Sequence, residues 1–481
     1  MNATAAAAVS RATILRRDEL VADLLKIVRD GRVIKDEQGR RVYGIHAFDT
    51  PSALPLAVVL PGSVREVSQV LRFCYESGLK VFPRGAGTSL VGGTVAAEDG
   101  IVLCLSLMDR VLEIDPFNRL ARVEAGIVNA AVSAATAAVG LRYAPDPASR
   151  FSSTIGGNIA TNAGGARAVR FGATDQHVLG LKIVLIDGEI IELGGGELEA
   201  SGFDLVGMLT GSEGMLGVIV EAVLRVIPKP EGRGAIVLGF QSVSAAVSCA
   251  ADLANTIELS AMEVFDRQVV SICEEFSSAN LPCDCEAVLV MEFEGGPDEV
   301  VAVAKSISAA VQSYTPTSRQ ELFEEQHIDR VWRTLDAAFS ALGRLGAVRC
   351  VDVAVPPVRL AGSMLHVGGI AARHGLRGAS MCRVAEGIVR SVFLYDGADP
   401  EDVARVEQAM VEVAQMTSEV GGVLAGEHGI GIAKRELLRL QLLESDLMFQ
   451  MRLKSTFDTE WLLNNGKVYP LADQIAHMAA T

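Results

Sequence analysis

The stretch P83-R-G-A-G-T-S-L-V-G-G93, Pro83 to Gly93, decides the fold. It carries four glycines and two hydroxyls, one arginine and almost nothing bulky. Its flanks give it a setting. PLAVVLP (55–61) reads as a short β run. SVREVSQVLRFCYESG (63–78) puts Val67, Val70, Leu71 and Cys74 on one helical face, with Gly78 as a C-cap. LKVFP (79–83) reads as a second strand that runs straight into the glycines. A strand followed by a glycine-rich turn is how a backbone cradles a pyrophosphate: amides point at phosphate oxygens, and the missing Cβ atoms permit the approach. Leu90 stands where G-x-G-x-x-G requires glycine, and no G-K-[ST] follows. Neither a Rossmann nicotinamide site nor a P-loop is therefore supported.

Two further segments extend the pattern. APDPASRFSSTIGGNIATNAGG (144–165) has an extended lead-in stiffened by Pro145 and Pro147, then Ser152, Ser153 and Thr154, then paired glycines. GSEGMLGVIVEAVLRVIPKP (211–230) is a glycine turn followed by an alternating strand. Several such loops imply one long ligand held at separate points, and a dinucleotide fits that better than a mononucleotide.

The chain has 481 residues, enough for two or three domains. Its composition is that of a soluble globular protein, with 49% hydrophobic and 21% charged residues. A net charge of -16 argues against nucleic acid or an anionic membrane as a nonspecific partner. No apolar run is long enough to span a bilayer. The eight cysteines form no CxxC pair, and Cys283-x-Cys285 is too tight for usual zinc spacing, so free thiols of a reducing cytosol are expected. The Ala-, Ser- and Arg-rich start, MNATAAAAVSRATILRR, has too short and mild an apolar stretch for a secretory signal and is read as a poorly ordered N-terminus, with a transit peptide as the alternative.

PRGAGTSLVGG, YAPDPAS, STIGGNIATNAGG, VLGLKIVLIDGEIIELGG, GSEGMLGVI and GEHGIGIAKRELL, in this order, resemble the FAD-linked oxidase family of the vanillyl-alcohol-oxidase type. Within it the likeness is greatest to glycolate oxidase FAD subunits and to D-lactate and D-2-hydroxyglutarate dehydrogenases. The resemblance implies an α+β architecture: an N-terminal segment (1–48), a two-subdomain FAD-binding domain (49–230), an α+β substrate cap (231–420) and a C-terminal segment (421–481) returning to the FAD domain. PKPEGRG (228–234) reads as the linker. It implies FAD contacts from Pro83, Arg84, Gly85, Ala86, Gly87, Thr88, Ser89, Gly92 and Gly93. Further contacts are implied from Pro145, Asp146, Ser149, Thr154, Gly157, Asn158, Asn162, Gly165, Ile219 and Asn464. The span 84–165 has no histidine, so noncovalent FAD is expected.

The resemblance also implies chemistry: a D-2-hydroxy acid loses a hydride to FAD and a proton to a base. Glu427 and His428 of GEHGIG match the family's metal-ligand carboxylate and proton acceptor. Elsewhere the chain departs from the pattern. RVAEGIVR (383–390) lies over the family's metal motif, with Arg383 and Arg390 in place of both histidines and Glu386 retained. A guanidinium cannot ligate a cation, so no metal is expected. Seven residues apart, the arginines are expected to project together above the flavin ring, where their paired N–H donors suit a substrate carboxylate; the alternative is a decayed site in which they pair with Glu386 and Glu427. Leu335 replaces the substrate-binding arginine of W-x-x-R, and Pro356-Pro357 replaces P-R. Arg344, Arg349 and Asp352 are further polar candidates.

The expected reaction is oxidation of a small anionic D-2-hydroxy acid. Electrons pass to a quinone, a cytochrome or an electron-transfer flavoprotein. The setting is cytoplasmic, with partner subunits tethering the chain to the inner membrane as one option. Two alternatives stay open: a flavin oxidase of another alcohol, and an FAD-binding subunit whose partner does the chemistry.

Overall fold

Ser63, in extended conformation, accepts a hydrogen bond from the Glu66 amide, and this cap starts the helix Val64–Glu76. Its buried side chains are Val67, Val70, Leu71 and Cys74, the face the sequence predicts. The chain leaves through Gly78 at φ +62°. In this computed structural model the described residues are 11–29, 31–44, 53–195 and 202–480. The first ten residues fall outside them. From Arg11 the chain forms the helix Arg11–Ile27 rather than an irregular lead, and Val21, Leu24 and Val28 join the core.

The helix Val64–Glu76 flanks a four-stranded sheet ordered Val33–Ile34, Ala57–Val59, Gly100–Cys104, Lys80–Arg84. The last three strands are parallel. An antiparallel five-stranded sheet follows, ordered Val111–Asp115, Leu120–Glu124, Val218–Arg225, Val178–Val184, Ile190–Gly194. One hydrophobic core spans both sheets, from Ala57 and Val81 through Val123 to Leu181 and Val220.

The strand Gly232–Phe240 opens a seven-stranded antiparallel sheet. The predicted linker is thus shorter than PKPEGRG, because Gly232, Arg233 and Gly234 already pair with Gly295, Glu294 and Phe293. Successive residues of this strand feed opposite cores. Ile236, Leu238 and Phe240 meet helices that include Val243–Thr256 and Leu360–Arg373; Ala235 and Val237 meet Arg267–Phe276 and Glu325–Asp336. A strand buried on both faces reads as an unbroken apolar run, as AIVLGF does. The chain mixes α and β in separate layers, an α+β architecture.

After Glu419 the chain turns back. Val81 donates its amide to Leu462 O (2.9 Å), and the Asn464 amide donates to Val81 O (2.8 Å). The chain's late segment thereby covers the open edge of the Lys80–Arg84 strand. Among the described residues no helix is long and apolar enough to cross a membrane. All eight cysteines are free and only Cys283 is not fully buried.

Candidate active site

Three loops fold around one cavity of about 400 Å³ between the two smaller sheets and the seven-stranded unit. The first follows the strand Lys80–Arg84. Ser89 Oγ accepts from the Gly93 amide (3.2 Å), folding the loop on itself. Glycine is required at two close approaches. A Cβ on Gly85 would lie 2.3 Å from Thr154 Oγ1; one on Gly87, at φ +79°, would lie 2.1 Å from Arg84 Nη2. The second loop ends in Thr154, whose Oγ1 caps the short helix Ile155–Thr161 by accepting from Gly157 N at 3.3 Å. The sequence shows the small residues of this segment but not the helix, which is only seven residues long.

The third loop is fastened by a residue that sequence reasoning passed over. Glu213, within GSEG, accepts from the amides of Ile430 (2.7 Å) and Gly431 (2.9 Å). Its own amide donates to Ala160 O at 2.7 Å, and its carbonyl accepts from Asn464 Nδ2 at 2.7 Å. One residue thus joins the second loop, GEHGIG and the returning segment. An acid inside the glycine turn Gly211-Ser212-Glu213-Gly214 is the sequence signal that could have found it; in the structure it sits at φ +52°.

Of the residues expected around FAD, Pro83 to Ser89, Gly93, Ser149, Thr154, Gly157, Asn158, Ile219 and Asn464 line the cavity. Gly92, Pro145, Asp146, Asn162 and Gly165 do not. Gly92 turns at φ +76°. Asn162, at φ +49°, caps the helix C-terminus and accepts from Asp175 N (2.9 Å). Asp146 pairs with Arg167 at 3.0 Å and, with Pro145, lines a second cavity. A Cβ on Gly165 would lie 2.6 Å from the Asp146 carbonyl, so Gly165 acts by letting these segments touch.

Glu427 and His428 line the first cavity, as does Arg390. Arg383 does not. It sits on the strand Arg377–Arg383, one arm of a hairpin whose other arm is Ile388–Tyr395, with Gly387 at φ +71° in the turn. The arginines converge on Glu427 rather than standing open above the cavity. Arg383 Nη2 reaches both carboxylate oxygens, at 3.0 and 2.9 Å, and Arg390 Nη1 reaches Oε2 at 3.4 Å. Arg390 Nη2 is taken by Glu263. Burial alone would raise the Glu427 carboxyl, but the two guanidiniums overcome it and hold it at about 2.

Asp352 is the keystone beneath this pair. Fully buried, it accepts from the amides of Glu427 (2.6 Å) and His428 (2.9 Å) and binds Lys434. Burial would raise its carboxyl too; Lys434 and His428 hold it well below the usual range. The His428 ring meets Phe339 edge-on, centroids 6.0 Å apart, and its Nε2 makes no hydrogen bond. Burial lowers the His428 pKa against the opposing pull of Asp352 and Glu427, keeping the imidazole neutral near pH 7. Of the other polar candidates, Arg349 pairs with Glu407 at 2.7 Å and Arg344 lies over the Phe276 ring. Leu335 is buried in the cap, while its neighbour Asp336 lines the cavity and pairs with Arg150 at 2.6 Å. Replacing Asp352 by alanine strands Lys434 in the interior. The expected cost is about 3–5 kcal/mol, seen as a melting temperature lower by several degrees; a variant melting like the wild type contradicts this role.

Residues 55–194 match the model of an FAD binding domain, and residues 229–468 match that of the C-terminal domain of FAD linked oxidases. The chain is 34% identical over 439 residues to glycolate oxidase subunit GlcD of Escherichia coli strain K12, covering 91% of this chain and 87% of the relative. It belongs to the FAD-linked oxidases. A D-lactate dehydrogenase of Archaeoglobus fulgidus is 33% identical over 417 residues, covering 85% of this FAD-linked oxidase and 90% of the relative. In fold it is similar to p-cresol methylhydroxylase with substrate bound (TM-score 0.80, 15% identity, 97% of this chain and 98% of that one). It also resembles a 4-ethylphenol oxidase from Gulosibacter chungangensis (TM-score 0.76, 16% identity, 96% and 99%). This FAD-linked oxidase is an oxidoreductase, and its cofactor is FAD. The cradle fits that group: Gly85 and Gly87 let the first loop close on Thr154 and Arg84 with no side chain of their own, and Thr94 Oγ1 is a buried hydroxyl in the cavity wall without a protein partner.

Proposed function

We propose that the protein oxidises a small D-2-hydroxy acid to the 2-oxo acid and passes the electrons to a quinone, a cytochrome or an electron-transfer flavoprotein. The observation that carries this reading is His428: a neutral imidazole with a vacant Nε2 on the cavity wall, flanked by two ionised carboxylates. The names of the relatives support the substrate class. FAD would be held by Arg84 to Ser89, Thr154, Gly157, Asn158 and Asn464, and supplies the hydride acceptor. His428 Nε2 takes the hydroxyl proton. The imidazolium so formed is stabilised by Asp352 and Glu427, whose charges already face it. Arg383 and Arg390 act as positioning residues: they keep Glu427 ionised and supply the positive charge that metal would otherwise bring. The segments 49–230, 231–420 and 421–481 are the proposed cofactor domain, cap and returning segment. We place the protein in the cytoplasm, held at the inner membrane, if at all, by partners.

Anaerobic mixing with a panel of D-2-hydroxy acids tests this. Bleaching of the flavin by at least one of them, undiminished by a strong chelator, is expected. No bleaching by any, together with copurifying subunits, favours an FAD subunit whose partner does the chemistry; loss of bleaching on chelation overturns the metal-free site. Acid precipitation is expected to leave all the flavin in the supernatant as FAD, because Pro83 to Gly165 offers no histidine for a tether. Flavin in the pellet would contradict this.

A further inference from the structure

A second cavity of about 380 Å³ lies on the far side of the segment 145–151. Pro147, Ala148 and Ser149 line the first cavity, while Pro145, Asp146, Arg150 and Phe151 line the second. Asp336, on the cap helix Glu325–Asp336, lines both. The two spaces therefore meet at the ion pair between Arg150 Nη1 and Asp336 Oδ2, 2.6 Å long.

Six cations face four carboxylates, Asp146, Glu325, Asp329 and Asp336, around the second cavity, and some of its buried donors find no acceptor. Trp332 and Arg142 line it, and the buried Trp332 Nε1 and Arg142 Nε make no hydrogen bond. Lys229 stands exposed on its wall and forms no ion pair among the described residues. Arg142 pairs with Glu294 through Nη2 and Lys229 is open to water, so the two atoms left without an acceptor are Trp332 Nε1 and Arg142 Nε, both buried donors. The remaining arginines differ in how firmly they are engaged. Arg167 and Arg233 each grip Glu292, which they hold at about 2 although burial would raise it. Arg150 has one carboxylate partner, and the side chains of both members keep about a fifth of their surface in solvent. Burial pushes that partner, Asp336, up to about 6 against the pull of Arg150, making it a weak counter-ion.

We propose that the second cavity is a holding site for the anionic substrate on its way to His428, with Arg150 as the carboxylate receptor and Asp336 as the resident carboxylate that the substrate displaces. The proposal rests on the hydroxy-acid reading and assigns an anchoring charge in place of the arginine that Leu335 replaces. An arginine fork suits a carboxylate whether it comes from Asp336 or from the ligand, so exchange conserves the contact. A passing anion would draw Arg150 off Asp336 and open the wall between the cavities.

Oxalate, a carboxylate with no alcohol to oxidise, serves as the probe, titrated into the FAD-loaded protein. Trp332 is one of only two tryptophans, and Trp461 lies in the separate core of the returning segment. Tryptophan fluorescence therefore reads the second cavity and flavin absorbance reads the first. A saturable fluorescence change is expected, absent in Trp332→Phe. Arg150→Gln should weaken it tenfold or more. Asp336→Asn, by freeing Arg150, should tighten it several-fold, a direction that a purely structural ion pair would not give. Wild-type affinity in Arg150→Gln, or no tightening in Asp336→Asn, overturns the proposal. A flavin shift with no fluorescence change sinks the holding site and leaves the hydroxy-acid reading standing. The full pattern of fluorescence changes in a protein that no hydroxy acid bleaches upholds the anion site and removes the reading of its purpose.

Discussion

A His428→Asn variant is expected to hold FAD normally and to bleach about 10²–10⁴-fold more slowly with the hydroxy acid that reduces the wild type, the range contributed by a positioned base. Asparagine keeps the backbone amide that donates to Asp352, so the loop stays anchored. What is lost is the one group on this wall that is neutral near pH 7 and basic enough to take a proton. The pH profile carries the sign. Burial places the His428 pKa below its ordinary 6.5. The imidazole is protonated and inactive only in acid, so the wild-type rate should climb through a range below the ordinary imidazole value and be level above neutrality. The variant should lose that acid limb as well as the rate. Bleaching at the wild-type rate would remove His428 from the chemistry.

Gly87→Val is expected to yield colourless protein, with bound flavin reduced at least tenfold. Two effects coincide at this position. At φ +79° a branched residue is strained by about 1–2 kcal/mol, and its Cβ would meet the Arg84 guanidinium at 2.1 Å in the wall of the cofactor cavity. Arg84 itself lines that cavity, so its displacement reshapes the wall. Gly78→Ala separates the two effects. Gly78 has φ +62°, but a Cβ there would find nothing within 4 Å, so the variant should lose some stability and keep its FAD. The ratio of flavin to protein absorbance decides; a yellow Gly87→Val protein would mean that the loop does not cradle the phosphates.

Local signals were legible where a local cause fixes the structure. The helix over 63–78 follows from its apolar spacing and the glycine that ends it, and the strand before Gly85 from its apolar run. The glycine loops followed from their composition, and GEHGIG from its resemblance. The environment of Glu427 was not legible, because it is made by residues far apart in the chain. Arg390 sits opposite Asp352 across the hairpin-flanking strand Ala347–Ala354, and Glu263 arrives from another strand 127 residues away. Seven-residue spacing suggested two arginines in one space above the flavin, open to a substrate carboxylate or paired with Glu386 and Glu427. Strand pairing turned them onto a shared carboxylate, which no linear spacing encodes. Asp336 was hidden for a related reason: the W-x-x-R pattern marks Leu335, where a charge is missing, and the charge stands one position further along the helix.

The closure of the cofactor sheet by Leu462 to Asn464 sets an order of events during synthesis on the ribosome. Asn464 Nδ2 reaches Gly93 O, 371 residues earlier in the chain. At about 5–20 residues per second, roughly 20–70 s separate the emergence of these two partners. Throughout that interval the Lys80–Arg84 strand has a bare edge, open to wrong pairing with other nascent chains. Asn464 also lines the cofactor cavity, so the wall that receives FAD is completed only when this part of the returning segment arrives.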